Sequence, residues 1–320
     1  SANELLMIWG GRNAAGVVVN TVQGYNPVTN TTVDFTATDP YPETTSPGAV
    51  EVVANKAYSF GGFDAVVTTA GCHIFDITAA DGARWTSCPD LNLSRSYIAT
   101  GVVDGVIYAI GGDTFDGAAL NPQTIAEKLD TANPTAWDDA SVADLPLPCD
   151  ENRGFGFDTS SGYDLAGKVV VAGCGQWPNN PSELAESLSY DVATNTWDQA
   201  FPDLINARRN HAGVFIPDLS GLKPEGGVAG SPGMWVFGGR QVDDNTILAT
   251  PEYFTVGIVT PPCLYSNDFN DATMEWIEEK PDVDQPGDGF LHLTPLKKKA
   301  IAVADASFTP ASTGTYTFDI

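Results

Sequence analysis

An apolar run closing on a pair of glycines recurs along this chain: LMIWGG (Leu6 to Gly11), AYSFGG (Ala57 to Gly62), VIYAIGG (Val106 to Gly112) and MWVFGG (Met234 to Gly239), with a degenerate copy, VVVAGCG, ending at Gly175. The first glycines stand at 10, 61, 111, 173 and 238, at intervals of 51, 50, 62 and 65 residues. A period near fifty residues, with expansions, means that each repeat is one supersecondary unit with variable loops, able to bury its apolar face only against its neighbours.

Other elements recur in the same order within each interval. An aromatic or apolar residue followed by a polar one comes first: Tyr25-Asn26, Phe75-Asp76, Leu129-Asp130, Tyr190-Asp191 and, more loosely, Tyr253-Phe254. A turn rich in Asn, Thr, Asp or Pro follows, then a Trp in three copies (Trp85, Trp137, Trp197), then a Pro-Asp-Leu or Leu-Pro element, an Arg and another apolar stretch. Four short strands per unit, here positions A to D, fit this spacing better than a helical repeat. The glycine pair ends B and the Trp lies on D.

This arrangement resembles the kelch family of β-propellers over roughly residues 1–262. The resemblance implies an all-β fold, a kelch-type β-propeller of four-stranded blades. The departures are Gly-Cys-Gly in the fourth copy, the missing Trp in the first and fifth, and long loops at 113–127, 176–187 and 217–232. The first copy has too few residues before its glycines for an A strand. An open propeller would expose unpaired strand edges, so the expectation is a parent chain that continues before Ser1 and has six blades. From residue 263 the texture changes to alternating segments such as FLHLT and TYTFDI. These resemble the start of a concanavalin-like or laminin-G-like sandwich, truncated at 320.

Charge and composition narrow the function. The net charge of −26 disfavours nonspecific nucleic-acid binding and polybasic membrane docking. The hydrophobic content of 42% is too high for a disordered acidic tail. No apolar run approaches the length of a membrane-spanning helix. High acidity with little Lys favours an exported protein, secreted or at the cell surface. The five cysteines, at 72, 88, 149, 174 and 263, have no metal-site spacing. On the blade map, Cys72 precedes strand C and Cys88 follows strand D of one blade, while Cys149 and Cys174 sit at the start of A and the end of B in another. Disulfides Cys72–Cys88 and Cys149–Cys174 are therefore expected, with buried thiols as the alternative.

Groups suited to catalysis are scarce. His73, His211 and His292 are the only histidines, too few and too scattered to supply the ligands of a kelch-like copper oxidase. TAADGARW has the wrong spacing for a sialidase Asp-box, and nothing singles out a carboxylate pair for glycoside hydrolysis. No cofactor is expected. Acidic loops such as GDTFDG and DVDQPGD leave Ca²⁺ open without fixing a site.

Arginine placement stands out. The start of A and the end of B share one face of a blade. Arg95, Arg153, Arg208 and Arg209 fall at or just before A, while Arg12 and Arg240 follow the glycines; Arg84 falls elsewhere. Six of seven arginines are thus expected on one face, where a cationic mouth in an anionic body would attract carboxylate or sulfate. The competing reading pairs them with Asp64, Asp113, Asp150, Asp243 and Asp244 on the same face. Trp177 and Phe115, in loops after B strands, are candidate recognition platforms. His211 is either part of the same site or a packed residue.

The function expected is recognition or scaffolding outside the cell, binding an anionic glycan or an acidic protein through this face. The alternatives are a carbohydrate-active enzyme (oxidase or glycosidase) at the same mouth, or a self-associating matrix or filament subunit.

Overall fold

The computed structural model describes residues 5–217, 232–241 and 246–259, together with the backbone of 283–284 and 292–293. Among these all regular structure is β-strand, in antiparallel sheets that follow the repeat. The first repeat forms β1 (Leu6–Trp9), β2 (Val22–Asn26) and β3 (Thr31–Asp34), in strand positions B to D. The second is a complete four-stranded sheet of β4 (Ser46–Val53), β5 (Lys56–Phe63), β6 (Thr68–Asp76) and β7 (Trp85–Cys88).

In the third repeat, β8 (Ala99–Val103) and β9 (Val106–Ile110) are followed by a hairpin, β10 (Asp113–Phe115) with β11 (Leu120–Pro122), and then by β12 (Ala126–Asp130). The fourth repeat joins β13 (Arg153–Phe157), β14 (Lys168–Ala172), β17 (Leu188–Asp191) and β18 (Thr196–Asp198); its B-to-C loop contains β15 (Cys174–Gly175) and β16 (Glu183–Leu184). The fifth has β19 (Ala212–Ile216), β20 (Gly233–Phe237) and β21 (Glu252–Thr255).

The chain divides into two units, Ser1–Ile258 and Val259–Ile320. In the second, the described residues show one antiparallel pair, β22 (Val283–Asp284) with β23 (His292–Leu293). The rest of the expected sandwich lies outside the described residues and gains no support. Cys263, Asp243, Asp244 and most of the 217–232 loop lie there too. The described residues do not show the sheets closing into a ring, nor a sixth blade.

The glycine pair is explained by how one repeat meets the next. Gly61 and Gly111 adopt φ of 61° and 60°. A Cβ on either would stand 2.4 Å from the Arg95 carbonyl or 2.3 Å from the Cys149 carbonyl, so both dihedral and space require glycine. The second glycine then donates its amide to that same carbonyl: Gly62 to Arg95 at 2.9 Å, Gly112 to Cys149 at 2.7 Å, and in the first repeat Gly11 to Thr45 at 2.9 Å. The Trp at position D, which lies on a strand in the second and fourth repeats and beside a single bridge in the third, ties the sheets at the other end. Its indole donates to a backbone carbonyl of the preceding connection: Trp85 to Asp39 at 3.0 Å, Trp137 to Pro89 at 2.9 Å and Trp197 to Ala143 at 2.8 Å.

Four apolar clusters fill the interfaces between successive sheets, with Phe60, Ile107 and Leu129 in one and Val169, Val171 and Leu188 in the next. Both expected disulfides are present. Cys72 and Cys88 face each other in the β6–β7 register, with Cα atoms 5.0 Å apart, and Cys149–Cys174 has 4.8 Å. Such bonds fit an oxidising environment.

Candidate functional site

Equivalent backbone positions from successive repeats converge on one end of the sheets. The residue just before strand A pairs, as a β-bridge, with the residue just after the glycine pair: Ser96 with Asp113, Asp150 with Gly175, Arg209 with Arg240; within the second sheet the equivalent pair is Ser46 and Phe63. The next residue on is Pro47, Tyr97, Glu151 or Asn210. The last three take φ of 51°, 48° and 53°, a left-handed conformation that costs a non-glycine residue about 1–2 kcal/mol. Such strain recurs where side chains are held for a purpose.

These positions surround a cavity of about 640 Å³, the size of a small-ligand site. All five repeats contribute to it. Arg12 comes from the first, Ser46, Pro47 and Phe63 from the second, and Tyr97, Asp113, Phe115 and Leu120 from the third; Glu151, Arg153 and Trp177 come from the fourth, and Arg209, Asn210 and Arg240 from the fifth.

Four of the six arginines expected at the mouth therefore line it, as do Trp177 and Phe115. Arg95 and Arg208 do not. Both are fully buried and turned into the sheet interface. Arg95 donates to the carbonyls of Gly111 at 2.8 Å and Ala109 at 3.2 Å and pairs with the buried Glu127. Arg208, four residues before strand A like Arg95, repeats the arrangement with Gly238 at 2.8 Å, Thr250 at 3.2 Å and Glu252.

His211 is also removed from the mouth. It is 1% exposed, its Nε2–H donates to the Ala172 carbonyl at 3.0 Å, and burial, with Arg153 and Arg208 nearby, holds its pKa down to about 3. It is a packed neutral imidazole. Arg84 is bridged to Asp39 and Asp81, away from the cavity.

The lining arginines differ in their partners. Arg209 pairs with Glu151, and its guanidinium lies 4.6 Å from the Trp177 ring centroid. Arg12 lies 5.3 Å over the Phe63 ring and donates to the Gly16 carbonyl. Arg153 donates to the Asn152 carbonyl at 2.8 Å. Neither Arg12 nor Arg153 has a carboxylate partner among the described residues, and burial alone lowers the Arg153 pKa.

Acids lie among them. Asp113 accepts from the Ser96 hydroxyl, and burial, with Glu151 adding, pushes its pKa up to about 6. Asp150, directly behind Glu151, is driven by burial and by Glu151 and Asp113 up to about 8. Among the described residues, the four lining arginines outnumber the lining carboxylates Asp113 and Glu151 two to one, in a chain of net charge −26. The cavity is a local inversion of the molecule's sign.

Sequence reasoning missed Phe63, Tyr97 and Leu120, and assigned Asp113 only a pairing role. Phe63 and Asp113 occupy the same place after the glycines as Arg12 and Arg240, so counting one step past each pair finds them.

Antiparallel repeat sheets and glycine pairs wrapped on the next repeat's carbonyl make an all-β fold consistent with a kelch-like one. Over 218 residues, 67% of its length, the chain is 27% identical to Kelch-like protein terF of Aspergillus terreus. It spans 44% of that relative's length. No protein-family model matches the chain.

Proposed function

We propose that this protein is a recognition scaffold, secreted or at the cell surface, that binds an anionic glycan or an acidic segment of a protein at the mouth shared by its repeats. One observation carries the reading. In a strongly acidic chain, Arg12, Arg153, Arg209 and Arg240 gather on one cavity, and two of them, Arg12 and Arg153, have no carboxylate partner among the described residues. Guanidinium groups so placed suit bidentate recognition of carboxylate or sulfate. The likeness to a kelch-like protein supports a scaffold role, and the two disulfides support export.

The test is binding of the full chain to an array of anionic glycans and acidic peptides at two ionic strengths, beside Arg12→Ala/Arg153→Ala. Hits that weaken with salt and are lost in the double variant support the reading. Hits that persist unchanged in a folded double variant refute it.

A further inference from the structure

The cavity is not uniformly polar. Repeats two and three give it Pro47, Phe63, Tyr97, Phe115 and Leu120; the arginines come from repeats one, four and five. The apolar side is built rather than incidental. Phe115 and Leu120 are directly opposed across the β10–β11 ladder, and Phe115 shares its face of β10 with Asp113, two residues earlier. The Phe115 backbone is pinned to Thr68 Oγ1 by two bonds, at 3.2 and 3.3 Å. That places its ring 5.8 Å from Phe63. Tyr97 is 44% exposed despite its left-handed backbone, and its phenol is near enough to Arg12, Glu151 and Asp113 for each to act on its pKa.

A sugar acid could lay the C–H face of its ring on one of these aromatics but would turn its hydroxyls towards the rest of the apolar lining, where they would go unpaired. A ligand with one charged end and an apolar body would use both parts. Resting on the anionic-ligand reading above, we propose that the mouth binds a carboxylate carried on a compact apolar or aromatic body, with Arg153 and Arg12 taking the carboxylate and Phe63, Tyr97 and Phe115 taking the body. Aromatic contact adds to simple burial of the body, and the charge-assisted bonds fix its orientation.

Calorimetry on the full chain tests this with four probes: 3-phenylpropionate, its neutral amide, acetate and glucuronate. The expected result is measurable binding of 3-phenylpropionate, with the other three weaker by about tenfold or more, the scale of one lost oriented interaction. Phe115→Ala should weaken 3-phenylpropionate and leave glucuronate unchanged, because the loop is held through the Phe115 backbone. Arg153→Gln should erase the preference for acid over amide.

Glucuronate binding as tightly as 3-phenylpropionate, with Phe115→Ala neutral, overturns the apolar-body proposal and leaves the anionic mouth standing. Equal binding of acid and amide, or no effect of Arg153→Gln in a folded variant, overturns both. Between two sources of the same chemistry, a Phe-terminated peptide with a free C-terminal carboxylate decides: tighter binding than the small acid assigns the group to a chain terminus, weaker binding to a free acid.

Discussion

Replacing Arg95 by Ala distinguishes a guanidinium that holds the fold from one that holds a ligand. Arg95 and Glu127 are both fully buried. Besides Glu127, Arg95 bonds the carbonyls of Gly111 at 2.8 Å, Leu93 at 3.1 Å and Ala109 at 3.2 Å. Truncation removes all four interactions at once. Glu127 is left with the Asn92 amide at 3.0 Å as its remaining hydrogen bond.

Breaking a buried pair from one side costs about 3–5 kcal/mol. Total stability for a domain is about 5–15 kcal/mol. The expected fall in Tm is on the order of 10 °C. Arg95→Met/Glu127→Leu should recover most of the loss, since an apolar pair of similar volume avoids the desolvation that the ions undergo. Added salt should change the deficit little, because buried pairs are weakly screened. Urea unfolding of the wild type, both single variants and the double variant, with disulfides intact, measures the coupling. A loss under about 1 kcal/mol, below the range for a broken buried pair, would refute the reasoning. So would loss of anion binding at unchanged stability.

Asp150 makes a pH-dependent prediction. Its folded pKa, about 8, lies above the unfolded value, so the folded chain retains a proton that the unfolded chain releases near pH 4. Its contribution is therefore complete below that pH and is lost as pH rises towards 8. Asp150→Asn should leave stability near pH 3 little changed and raise it increasingly above pH 4, by roughly 1–2 kcal/mol at pH 5 and roughly 4–5 kcal/mol at pH 8; an equal change at pH 3 and pH 8 in urea melts would disprove this. For the cysteines, titration of the denatured, unreduced chain should find no more than one free thiol, since four of five are paired. Three or more free thiols would contradict the pairing and the export it supports.

Much of this was legible in the sequence because the governing contacts repeat at fixed spacing. The glycine pairs mark where one repeat wraps on the next, and Trp85, Trp137 and Trp197 mark the opposite tie. The cystines followed from the order of strands, since residues at matching strand ends are neighbours in an antiparallel sheet. The candidate mouth was legible as a face, through Arg12, Arg153, Arg209 and Arg240.

The division of labour among the arginines was decided by the tertiary structure. Arg95 and Arg208 precede Ala99 and Ala212 by four residues, whereas Arg153 occupies the alanine's own place at the start of strand A. That offset turns the first two inward to Glu127 and Glu252, acids 32 and 44 residues away in sequence, and leaves Arg153 at the mouth. The apolar side depended likewise on a hairpin that brings Phe115 to Phe63. Local spacing determines which face a residue joins; whether a charge there is buried in a pair or left for a ligand depends on partners that only the folded chain brings within reach.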